Sequence, residues 1–148
     1  MKALTAGAVA LILQSVALPA LADEDAGAYL AARQARIDHD FTAAAQYFTK
    51  ALTQDINNPA IMENAAYAFM ALGDLKKAVP VAQRIDDTGL KSQIAFMALA
   101  AERAAQGDFD TLIKQIEDGR GVGAPADGLI AAWAEIGRGN MGEALARF

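Results

Sequence analysis

The chain has 148 residues, with 13 Lys and Arg against 18 Asp and Glu, one histidine, no cysteine and a formal charge of −5. Without a thiol there is no disulfide framework, cysteine nucleophile, thiolate metal site or lipid-modified N-terminal cysteine, and one histidine excludes a His-rich metal site. The acidic balance argues against nucleic acid or an anionic lipid surface as partner, and the length suits one domain.

Met1-Lys2 is a short positive start, and Ala3 to Leu18 is almost wholly apolar. Pro19 breaks that run, and Ala20-Leu21-Ala22 is an A-x-A cleavage pattern ahead of the acidic Asp23-Glu24-Asp25. Residues 1–22 therefore read as a secretory signal peptide. The apolar run is short of the ~20 residues a membrane span needs, so no integral span is expected. The expected location is outside the cytoplasm, periplasmic in a Gram-negative cell, with the mature chain starting at Asp23.

Alanine supplies 29 of the residues after position 22. Alanine is the best helix former, strand formers are sparse, and the expected fold is all-α. A register then emerges. His39-Asp40-Phe41, Gly73-Asp74-Leu75 and Gly107-Asp108-Phe109 recur every 34 residues, and Gly139-Asn140-Met141 follows slightly early. Each copy places a turn former before an Asp or Asn, which ends one helix and caps the next. Around these corners run apolar stripes at helical spacing. They are Ala28, Ala31, Ala32 and Ala35 with Ala44, Tyr47, Phe48 and Ala51, then Met62, Ala65, Ala66 and Phe69 with Ala78, Val81, Ala82 and Ile85, then Phe96, Leu99 and Ala100 with Leu112, Ile113 and Ile116. Ala45 and Lys77 read as outward-facing. Pro80 removes a hydrogen bond within its helix and is expected to kink it.

The pattern resembles the tetratricopeptide repeat family, whose unit is two antiparallel helices in 34 residues. The family's small residue in the first helix is matched by Ala32, Ala66, Ala100 and Ala132, and its small residue in the second by Ala44, Ala78 and Ala144, with Leu112 departing. The resemblance implies a right-handed solenoid over residues 25–148, in units of about 25–58, 59–92, 93–124 and an incomplete 125–148. The fourth unit stops within its second helix, which is expected if the chain is the N-terminal part of a longer protein.

Three features that invite a chemical reading have plainer ones. Gly119 to Gly123 is G-x-G-x-G after a helix, not a strand-to-helix phosphate loop, and reads as an inter-unit connection. His39 is a turn residue at a position where the other units carry glycine. Asp86-Asp87 is expected to be a solvated helix end without a third ligand. No metal, cofactor or catalytic constellation stands out, so the chain is expected to be non-enzymatic.

What remains is a surface. The resemblance implies that the first helix of each unit lines a concave groove. The matching positions are Tyr29, Arg33, Arg36, Asn64, Tyr67, Met70, Met97 and Trp133, with Glu63, Ala101 and Leu129 beside them. Aromatic, Met and Arg side chains suit protein segments as partners, with a preference for acidic ones. Arg33 and Asn64 match part of the family's clamp for a C-terminal carboxylate. Ile94 and Ala98 stand where its next basic residues belong, so that activity is not expected. The expected function is an exported interaction scaffold. The alternatives are the front region of an envelope enzyme and a self-association module.

Overall fold

A computed structural model describes residues 24–147, and the leader read at residues 1–22 lies outside them. Among the described residues there are eight helices and no strand. They are α1 (Glu24–Ile37), α2 (Phe41–Gln54), α3 (Pro59–Ala71), α4 (Leu75–Asp87), α5 (Gln93–Gln106), α6 (Phe109–Glu117), α7 (Ala126–Gly137) and α8 (Met141–Ala146). They form four antiparallel pairs, α1/α2, α3/α4, α5/α6 and α7/α8, each leaning on the next as a helical-repeat solenoid.

The four corners share one geometry. His39, Gly73, Gly107 and Gly139 all have φ between 58° and 82°. This left-handed region costs glycine nothing and is entered here by one histidine. The following amide then reaches back five residues: Asp40 to the Ala35 carbonyl at 2.8 Å, Asp74 to Phe69 at 2.9 Å, Asp108 to Arg103 at 2.9 Å and Asn140 to Glu135 at 2.8 Å. That is the Schellman ending of a helix. Asp40, Asp74 and Asp108 also cap the next helix, accepting from Ala43, Lys77 and Thr111. Asn140 departs from the sequence reading, because its side chain makes no cap bond to α8. Its amide donates to Glu135 instead.

Alanine sets how closely the helices approach. Ala32, Ala44, Ala65, Ala66, Ala78, Ala82, Ala98 and Ala132 are completely buried, and Phe48, Met62, Ile85 and Leu99 fill the spaces between helices. Two readings need correction. Ala45 is buried at 5% exposure, because α2 carries α1 on one side and α3 on the other. Tyr47, placed on the buried stripe, is 42% exposed.

The core is divided. One cluster runs from Ala28 to Leu99, and a smaller one gathers Phe96, Ala100, Leu112, Ile113 and Ala134. The division lies in α5, which has residues in both. Connections lengthen along the chain, from residues 55–58 to 88–92 to 118–125. In the first of them Arg84 donates to the Ile56 carbonyl at 2.7 Å and to Asn57. In the last, the Asp127 carboxylate accepts from the Val122 and Gly123 amides at 2.7 and 3.0 Å, while Gln93 donates to the Val122 carbonyl at 2.6 Å. The glycine-rich stretch is thus pinned from both sides. Asp86 is likewise not a solvated helix end: it pairs with Arg120, one repeat further on.

Candidate protein-binding groove

The first helices α1, α3, α5 and α7 form one layer of the solenoid. Within it α3 packs directly on α5, while no two second helices approach as closely. All eight sequence-predicted groove residues lie on these helices.

They separate into two groups. Tyr29, Arg33 and Arg36 stand on α1, and Asn64 and Tyr67 on α3. The Tyr29 ring meets Phe48 edge-on at 6.3 Å, and the Arg33 guanidinium lies 5.9 Å from the Tyr29 ring centroid, a cation–π arrangement. Arg36 is exposed in the last turn of α1, where a cation complements the helix dipole. Neither arginine makes an ion pair among the described residues. Asn64 spends one donor on the Ala60 carbonyl of its own helix. Tyr67 stacks edge-on against Phe41 at 5.8 Å and still exposes 39% of its surface. Rings held by packing like this are rigid contact area.

The second group makes a cavity. Met70, Met97 and Trp133 wall a slot of about 470 Å³ between α5 and α7, floored by Phe109 and Leu112 of α6. Ala100, Ala101 and Ala104 keep its α5 wall shallow. The slot exists because α7 stands off from α5, whereas α3 and α5 touch. The long connection at 118–125 permits that spacing. Trp133 is 63% exposed, Leu129 50% and Met97 43%, an apolar concentration facing solvent. The floor residue Phe109 was missed in sequence because it belongs to a second helix. The signal was available, since Phe109 follows its corner Asp as Phe41 does, and Phe41 braces Tyr67.

Residues 35–102 match the tetratricopeptide repeat family. No curated protein matches the chain. Tetratricopeptide repeats indicate a protein-interaction scaffold, a fold that is generally non-catalytic. The matched stretch runs from the end of α1 through most of α5, so it holds the second unit whole together with the α1–α2 corner.

Beyond the match, the corner spacing persists while its chemistry changes. Ala35 and Phe69 occupy the buried place that precedes each corner by four residues. Arg103 and Glu135 occupy that place in the later units, and each is tied to the residue twelve positions on. Arg103 donates to Gln115, and Arg147 donates to Glu135 at 3.2 Å. Glu135 is 3% exposed and takes further bonds from Arg138 and Asn140, both at 3.1 Å. Arg138 also pairs with Asp110 at 2.9 Å, and Arg147 with Glu117 at 3.3 Å. The Asn140 hydrogen bond, reinforced by the Arg138 and Arg147 charges, holds the Glu135 carboxyl below its ordinary range. This cluster ties α6, α7 and α8 together behind the slot. No group of His, Cys, Asp or Glu among the described residues could hold a metal ion, and no described helix is long and apolar enough to cross a membrane.

Proposed function

We propose that the protein is an exported, non-enzymatic scaffold that holds segments of other proteins along its first-helix face, in the periplasm where the cell has one. The observation carrying this reading is the solvent-facing Trp133 beside Met70 and Met97 over an apolar slot. A large apolar side chain entering the slot removes water from these surfaces without first having to open them. Methionine adapts to the shape of the entrant, and tryptophan supplies fixed area. Arg33 and Arg36, without ion partners among the described residues, favour an acidic stretch of the same segment over the α1 end. The export half of the proposal rests on residues 1–22.

The binding test is capture from periplasmic extract by wild type, by Trp133→Ala/Met97→Ala and by Tyr29→Ala/Arg33→Ala, each with helical content verified by circular dichroism. Truncating a packed aromatic anchor costs more than ~2 kcal/mol of binding. The slot variant is therefore expected to lose its partners and the arginine variant to weaken for acidic ones. Equal capture by all three rejects the first-helix face as the binding site. Intact mass of the protein from its native host is expected to correspond to a chain starting at Asp23. A soluble form retaining residues 1–22 rejects export.

A further inference from the structure

A second cavity, of about 250 Å³, lies between the 88–92 connection, α5 and the end of α6. None of its lining residues lines the slot. Leu90, Phe96 and Leu99 supply its apolar lining. Lys91, Ser92, Gln115 and Arg120 also line it. Asp86 also lines it, but its charge is answered by Arg120. Lys91 has no ion pair among the described residues, so the lining keeps one uncompensated positive charge.

Gln115 decides what the cavity can hold. It is 8% exposed. Arg103 donates to its side-chain oxygen, and a guanidinium can only donate, so the orientation of the amide is fixed. The amide nitrogen then carries two donors that meet no acceptor among the described residues, in a side chain that lines the cavity. A donor that opens onto a cavity without a protein partner is ordinarily satisfied by water or ligand. The volume corresponds to roughly eight waters.

We propose that this cavity is a binding site for a small monocarboxylate bearing a short apolar group. The carboxylate accepts from the Gln115 amide and faces the Lys91 ammonium, and the apolar group lies on Phe96, Leu99 and Leu90. An anion fits because the free groups are donors and a cation. An apolar body fits because the Leu90, Phe96 and Leu99 side chains offer no hydrogen bond.

The test titrates the full chain with sodium benzoate and sodium butyrate, following the Gln115 side-chain amide by NMR and the affinity by calorimetry. Benzamide serves as the uncharged counterpart and inorganic phosphate as the anion without an apolar body. Saturable shifts of the Gln115 amide are expected with the two carboxylates, at least tenfold weaker binding by benzamide, and none by phosphate. Gln115→Met keeps the volume and removes the donors, and Lys91→Met removes the charge at an exposed position. Each is expected to weaken benzoate about tenfold, while Lys114→Met, exposed on the same helix as Gln115, leaves it unchanged. Absence of saturation by both carboxylates, which leaves the cavity to water alone, overturns the proposal. So does benzamide binding as tightly as benzoate, or undiminished binding by both variants. Trp133→Ala is expected to bind benzoate normally, which separates this site from the slot.

Discussion

At the scale of single residues, the solenoid depends on side chains too small to keep helices apart. Ala44 and Ala78 are completely buried where helices cross, and Ala45 is nearly so. Leucine at any of the three overpacks a crossing and is expected to cost about 1–3 kcal/mol, whereas Lys50→Leu, on the exposed face of α2, should leave the melting temperature nearly unmoved. Equal shifts at all four positions would refute this assignment of buried faces. Ala45 shows a limit of reading helices one at a time. A period of 3.6 finds one buried stripe, but α2 lies between α1 and α3 and buries two sides, so a residue next to the stripe is also covered. Glu135 is a residue-scale case of another kind. Hydrogen bonds to its charged form lower its pKa, so the stability it contributes is present above the ordinary glutamate value and is lost as pH falls through the lowered one. Trp133, the sole tryptophan, sits two residues away on α7. Its fluorescence is expected to report a loosening of the last helix pair at a pH below the ordinary glutamate range. Glu135→Gln should abolish that transition. A midpoint at or above the ordinary value would contradict the lowered pKa.

At the scale of elements, the corners were legible in the sequence because each is local. A turn former and a capping carboxylate recurring at 34 residues need no knowledge of tertiary packing, and the fourth corner, with Asn140 and a shorter spacing, keeps the same backbone geometry. What the spacing could not disclose was contact across units, such as Asp86 with Arg120 or Gln93 with the Val122 carbonyl. The eight groove positions followed from the repeat register, but their division into an aromatic–arginine group and an apolar slot depends on how far α7 stands from α5. Two glycines permit close approaches beside the slot. A Cβ on Gly121 would fall 2.2 Å from the Asp127 carboxylate, and one on Gly137 would fall 2.4 Å from the Phe109 ring. Gly137→Ala is expected to cost about 1–3 kcal/mol and to push Phe109 into the slot, which near-ultraviolet circular dichroism and partner capture would register together. Asp127→Ala removes the acceptor for two amides ahead of α7 and is expected to cost about 1 kcal/mol, in the manner of a lost helix cap. An unchanged melting temperature would show that the loop is not held by Asp127.

At the scale of the whole molecule, two buried clusters meeting in one helix imply uneven stability. Repeat arrays behave as sums of units and their interfaces, and the smaller cluster has fewer apolar groups to bury. Amide exchange is expected to be slowest in α2, α3 and α4 and faster in α6, α7 and α8, with the difference widening in acid as Glu135 is protonated. Uniform protection along the chain would mean that the two clusters act as one. The polar ties in the later units explain why family likeness fades there while the helical pairing continues. A salt bridge and an alanine contact can hold the same two helices, but they leave different sequences behind.

The place of α5 has a mechanical consequence. It contributes Leu99 to one cluster and Phe96 and Ala100 to the other, so it is the helix on which the two halves of the array meet. On one side α3 lies against it, and on the other α7 is held by a pinned loop and a cluster of charges. A flexing of the array about α5 would change the open α5–α7 gap more readily than the packed α3–α5 contact. Curvature and slot width then become a single coordinate, and a side chain wedged beside Trp133 would set the distance between the two ends of the array.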